Sequence, residues 1–268
     1  MYTPSFEYFR PKTLAEAARL LRKHKESRPL AGGHSLLPAM KIRLASAKAL
    51  IDLGAIKGLS GIKAKGKAVE IGAMTTHAEI AASPIVRKSC PILAEAASQI
   101  GDIQVRNRGT IGGSIAHADP AADFPTVLLA LGATIQAKGP KGARKIPADK
   151  FFVDLFTTAL KPGEIVTSVV VPAYGKGTGG AYFKHPHPAS RYAVVGVAAI
   201  VEVKNGKTVR SSLAVGGASH TPVRAESPEK IAAAIPDPLS DHYASGEFRV
   251  HLATVLAKRA LAAAVERA

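Results

Sequence analysis

Two Gly-Gly stretches far apart in the chain limit its fold more than any other feature: Ala31-Gly32-Gly33-His34-Ser35 and Thr110-Ile111-Gly112-Gly113-Ser114. Each follows or interrupts an apolar run and ends in a hydroxyl residue. Paired glycines remove two Cβ atoms, so the backbone can enter positive φ and come close to a ligand. Consecutive amides in that geometry form a concave donor site suited to phosphate oxygens. Two such loops read as the halves of a clamp on a pyrophosphate. That points to a dinucleotide and away from a mononucleotide or a metal.

Glycines alone carry little weight, because the chain holds 24 of them in 268 residues and Gly216-Gly217 is a third pair. There is no G-x-G-x-x-G, which argues against a Rossmann fingerprint. Gly206-Lys207-Thr208 looks like the end of a Walker loop, but the earlier glycine such a loop needs falls on Val201. Asn205-Gly206 between two alternating runs reads as a hairpin turn.

Other chemistries are poorly served. Cys90 is the single cysteine, so the chain has neither an internal disulfide nor the thiolates of an iron–sulfur cluster. It reads as a small buried hydrophobe. Nine histidines include His185-Pro186-His187, yet no Cys/His set has zinc-ligand spacing. No metal site is expected, and redox chemistry here would need an organic cofactor. The net charge of +16 raises the question of nucleic acid. The basic residues are dispersed and no aromatic residues interleave with them, so no nucleic acid is expected. Basic faces toward an anionic cofactor and acidic partner subunits are the milder reading. No signal-like N-terminus and no apolar run near about 18 residues occur. The expectation is a cytoplasmic protein without a membrane span.

A helix is predicted from Thr13, with Glu16 completing a capping-box pattern. Pro29–Ala31 and Ala49–Leu53 read as strands, as does Val69–Ala73, and Thr76 caps a helix over His77–Ala81. Pro91–Ser98 reads as a helix. So does Asp123–Leu131, interrupted early by Pro125, before a strand at Ala133–Ala137. Glu164–Pro172 is a strand. The glycine-rich Gly175–Gly180 is the best domain boundary. Val194–Val203 and Val209–Val215 form a hairpin, and Phe248–Glu266 a final helix. The mixture is α/β or α+β.

The run Leu30-Ala31-Gly32-Gly33-His34-Ser35-Leu36-Leu37-Pro38-Ala39-Met40-Lys41 resembles the FAD-binding medium subunit of molybdenum hydroxylases. So does Val105-Arg106-Asn107-Arg108-Gly109-Thr110-Ile111-Gly112-Gly113-Ser114, continued by Ala116-His117-Ala118-Asp119-Pro120-Ala121-Ala122-Asp123. That family includes aerobic carbon monoxide dehydrogenase and xanthine dehydrogenase, and the likeness runs essentially from Phe6 to Ala253. It implies an α+β fold: a two-part FAD-binding domain of the p-cresol methylhydroxylase (vanillyl-alcohol oxidase) type over residues 1–176, divided near 54, and a smaller α+β domain over 177–268.

The resemblance implies FAD as cofactor and a role in passing electrons from [2Fe–2S] clusters of a partner to an external acceptor. The implied partners are a large molybdopterin-binding subunit and a small [2Fe–2S] subunit, assembled as a dimer of heterotrimers. Hydroxylation would occur on the large subunit, so no catalytic residue is expected here. Arg28, Pro29, Leu30, Ala31, Gly32, Gly33, His34 and Ser35 would wrap the pyrophosphate, with the amides of Gly32, Gly33, His34 and Ser35 as donors. Thr110, Ile111, Gly112, Gly113 and Ser114 would close the other side, through the two hydroxyls and the Gly113 backbone. Ser114 stands where many relatives have Asn, and a hydroxyl reaches less far. His117 would contact the phosphate or adenosine portion and Asp123 the ribose diol. Asp119 reads either as a turn residue or as a cofactor contact. Ile100 would lie against adenine or serve the core. Val166 would sit near the isoalloxazine. Lys184 would favour the anionic reduced flavin as a nearby cation, or be a surface lysine. Tyr192 would lie against the ring or fill the hairpin. Asp123 and Lys184 are thus expected at different ends of the cofactor.

Overall fold

The computed structural model describes residues 2–268 and contains three main sheets, met in order along the chain. The first is parallel and three-stranded, with Ala49–Asp52 between Glu7–Phe9 and Ser27–Leu30. Parallel neighbours need crossover connections. The helices Leu14–Lys23 and Leu36–Lys41 provide them. Thr13 caps the former by accepting the Glu16 amide at 3.2 Å, while Glu16 reaches one residue further back, to the Lys12 amide at 3.0 Å.

The second sheet has five strands in the order Ile62–Lys65, Ala68–Gly72, Ile165–Pro172, Thr134–Gly139, Gly142–Pro147, all antiparallel. Six helices lie in sequence between Ala68–Gly72 and Thr134–Gly139, ending with Ile111–His117 and Asp123–Leu131. The last of these, with Phe124, Val127 and Leu128 fully buried, is the spine of the main core. Pro125 does not interrupt it. In the first turn of a helix the missing N–H has no intrahelical partner to lose.

The third sheet is an antiparallel meander of Thr178–Pro186, Ala193–Lys204, Lys207–Gly216 and Val223–Ala225. Asn205 and Gly206, at φ 50° and 72°, make the tight turn between its two long strands. Val195, Val197, Ala199 and Val201 face the long helix Gly246–Glu266, and Ala198 faces the main core. Both faces are covered, which is why Ala193–Val201 reads as a continuous apolar run. Gly179 and Gly180 belong to the first strand of this sheet and are not a linker. A Cβ at Gly179 would overlap the Ala264 carbonyl of the long helix. Cys90 is buried in the main core, where desolvation pushes its thiol up to about 12. Among the described residues no helix is long and apolar enough to cross a membrane.

Candidate functional site

The strand Ser27–Leu30 pairs with Ala49–Asp52 only as far as Leu30, and the chain then turns along the edge of a cleft of about 430 Å³. That size is ordinary for a small-molecule or cofactor site. Gly33 makes the turn at φ +77°. Gly32 is not in the left-handed region; its missing Cβ admits the Arg108 carbonyl and the Gly109 Cα of the facing segment. The two glycines therefore serve different needs. Their amides, with those of His34 and Ser35, donate to no protein acceptor among the described residues. Buried or sheltered amides nearly always find a partner. Four free donors in succession at a cleft edge form a cradle for an anion.

The second glycine stretch is not a loop. Ile111–His117 is a helix capped by Thr110, whose hydroxyl oxygen accepts the Gly113 amide at 3.1 Å. The Ile111 and Gly112 amides donate to Thr75 and Ala73 carbonyls at 3.1 and 2.8 Å. The Gly113 backbone is thus already engaged and does not offer the donor expected of it. This wall presents the Thr110 and Ser114 side chains instead, and the Thr110 hydroxyl still has its proton to donate. Ile111 is fully buried in the core and does not reach the cleft. Gly112 is required by packing, since a Cβ there would crowd Ala73.

His117, Asp119 and Asp123 also line the cleft. Burial lowers the His117 pKa and raises that of Asp119. Asp119 also accepts the Ala121 amide at 2.9 Å, so it is both a turn residue and part of the wall. Asp123 is almost wholly buried, and its Oδ1 accepts the Tyr182 hydroxyl at 2.7 Å and meets Lys184 Nζ at 2.8 Å. Desolvation raises its pKa, with Lys184 pulling the other way.

Lys184 is neither a surface lysine nor part of the cleft wall. Its ammonium donates to the Gln99 and Arg191 carbonyls at 2.8 and 2.9 Å, besides Asp123. Asp123 and Lys184 therefore form one ion pair, and the expectation that they act at opposite ends of a cofactor is overturned. Through the Arg191 carbonyl, Lys184 holds the segment carrying Tyr192. That tyrosine lines the cleft and does not fill the hairpin; burial, then Asp119, raises its pKa. Arg28, Pro29, Leu30 and Ala31 continue the loop wall, and Ile100 and Val166 contribute apolar surface.

His77 lines the cleft and was given no role by the sequence. It is the first residue of the helix His77–Ala82, capped reciprocally by Thr76 and Glu79, and is 4% exposed. Burial, with the nearby charges of Arg106 and His34, lowers its pKa to about 4. Its only sequence signal is its place directly after a helix cap.

Residues 4–174 match the family model described as FAD binding domain in molybdopterin dehydrogenase. The chain is 41% identical to the carbon monoxide dehydrogenase medium chain of Hydrogenophaga pseudoflava, over 100% of its own length and 99% of the relative's. It is 38% identical to the glyceraldehyde dehydrogenase medium chain of Sulfolobus acidocaldarius, over 97% and 98% of the two. Among solved structures, a chain of the Hydrogenophaga pseudoflava carbon monoxide dehydrogenase that lacks the Mo-pyranopterin moiety of its molybdenum cofactor is similar at TM-score 0.95. That match has 40% identity and covers 100% of this chain and 99% of that one.

Proposed function

This chain belongs to the family of FAD-binding domains of molybdopterin dehydrogenases, and from that premise we propose that it is the flavin-carrying, electron-relaying subunit of a multi-subunit molybdenum hydroxylase of the carbon monoxide dehydrogenase medium-chain type. The observation that carries the reading is the row of free amides at Gly32, Gly33, His34 and Ser35 along the cleft. A diphosphate is the part of FAD that such a row suits.

Bound FAD supplies the redox chemistry, accepting electrons and handing them on, so the protein's work is to hold and orient it. The Gly32–Ser35 amides hold the diphosphate from one side, and the Thr110 and Ser114 hydroxyls from the other. His117 and Asp123 attend the adenosine portion. Both side-chain partners of Asp123 fall on Oδ1, which leaves Oδ2 to accept from a ribose hydroxyl. Ile100 and Val166 give apolar support to adenine and isoalloxazine. Lys184 acts at one remove, through Asp123 and the Arg191 carbonyl.

The assembly would contain a large molybdopterin-binding subunit and a small [2Fe–2S] subunit, as a cytoplasmic dimer of heterotrimers. The FAD-binding domain, of the p-cresol methylhydroxylase type, would span 1–176 with its division near 54, and the second domain 177–268. Support comes from the sheets: the first ends at Asp52, the second begins at Ile62 and the third at Thr178. A second reading, the FAD subunit of an aldehyde dehydrogenase, is favoured by the similarity to the glyceraldehyde dehydrogenase medium chain.

The test is anaerobic. The FAD-loaded chain, alone and then with its partner subunits, is exposed to carbon monoxide and in parallel to glyceraldehyde. Flavin absorption should bleach only in the assembly, and the substrate that bleaches it separates the two readings. Rapid bleaching of the lone chain by either would show a stand-alone oxidase and overturn the relay.

A further inference from the structure

His77 is the one titratable side chain in the cleft wall whose position the chain accommodates with a glycine and whose ring has no protein partner. Gly109 has φ −59°, which any residue adopts, so its backbone does not call for glycine. What calls for it is space: a Cβ there would sit 2.6 Å from His77 Nε2 and 3.0 Å from the Val105 carbonyl oxygen. Gly109 Cα in turn lies 2.8 Å from where a Gly32 Cβ would stand, so imidazole, Gly109 and the free-amide loop are stacked in contact. The His77 amide donates to the Gly109 carbonyl at 3.0 Å, which fixes the residue beside the loop. Yet neither ring nitrogen hydrogen-bonds to protein among the described residues; Nδ1 is fully buried, and Nε2, on the Gly109 side, is the nitrogen left to meet a ligand in the cleft. A sheltered polar group left without a partner costs stability unless a ligand or water completes it.

We propose that His77 is a further cofactor-contacting residue, whose imidazole donates a hydrogen bond to the diphosphate of the bound dinucleotide. The inference rests on the FAD reading above and adds a residue to it. The groups facing the ring are Arg106 from the neighbouring helix and His34 from the glycine loop, with the Phe124 ring packed edge-on at 5.2 Å. Two basic neighbours and burial keep the free imidazole neutral, its pKa near 4. A neutral imidazole still donates one N–H. A dianionic ligand beside it would favour the protonated form and move its pKa upward.

The test follows the His77 imidazole by NMR in the full-length protein, assigned by the resonance missing in His77→Gln. The probes are FAD, ADP and riboflavin, and FAD affinity is measured for wild type, His77→Gln and His77→Phe. FAD and ADP should each raise the His77 pKa by at least about one unit, the effect of an opposite charge in contact. Riboflavin, which lacks the diphosphate, should not. His77→Phe should weaken FAD at least about tenfold, the loss of one good hydrogen bond. His77→Gln, whose amide can replace an Nε2 donor, should recover most of that. If wild type binds FAD with no movement of the His77 resonance, or if riboflavin alone moves it, the proposal is wrong while the FAD reading stands. If wild type binds no FAD either alone or in its assembly, the FAD reading itself fails. The wild-type shift decides the matter even where a variant does not fold.

Discussion

Lys184 and Asp123 meet where water barely reaches, with side-chain exposures of 3% and 4%. In such a place the pair is weak evidence for stability, but removing one partner leaves an uncompensated charge. Lys184→Met or Asp123→Asn should each cost about 3–5 kcal/mol in urea unfolding. The double variant should cost clearly less than the two single losses together. Strict additivity would mean that the two side chains do not depend on one another. Nothing local in the sequence announces this contact, since the partners lie on a helix start and a strand that come together only in the fold. The glycine pairs were legible as positions that refuse a side chain, although the reason differs at each. Of the four glycines in the two cleft stretches, only Gly33 uses a left-handed backbone; Gly32 and Gly112 make room for other parts of the same chain. His77 was invisible because what marks it is an absence of partners, which only coordinates reveal.

Elements with strong periodicity or caps were readable from residues alone. Thr76 caps its helix, the Asn205-Gly206 hairpin turns as its dipeptide dictates, and Gly246–Glu266 is one long helix. The helix Ile111–His117 reads as a loop in the sequence because two glycines in its first turn have poor helix propensity. Tertiary bonds from Ile111 and Gly112 to the Thr75 and Ala73 carbonyls override that preference. The same substitution of packing for propensity explains Gly179 and Gly180. Composition there suggests a flexible joint, yet the strand needs those glycines to admit the long C-terminal helix and Tyr174. Gly179→Val should therefore push that helix off the third sheet and lower stability by about 1–3 kcal/mol, as overpacking does. Thermal unfolding followed by far-UV circular dichroism reads this directly. An unchanged midpoint would mean that the helix docks without needing that close approach.

At the scale of the whole molecule, sheet order is the part that residues alone did not disclose. The central strand Ile165–Pro172 pairs with Ala68–Gly72 and Thr134–Gly139, segments separated from it by long stretches of chain. This non-local closure brings the free-amide loop of the first sheet, the capped helix Ile111–His117, Val166 of the second sheet and the Tyr192 segment of the third around one cleft. The net positive charge suits a molecule whose cofactor is anionic. The most direct measurement is FAD content per folded chain, from flavin absorption, for wild type and for Gly33→Val. A valine at φ +77° would be strained by about 1–3 kcal/mol and would displace the amides around it. An FAD-holding cleft predicts one FAD per wild-type chain and little or none in a variant that keeps its circular dichroism spectrum. A colourless wild type, or full flavin occupancy in the folded variant, would contradict it.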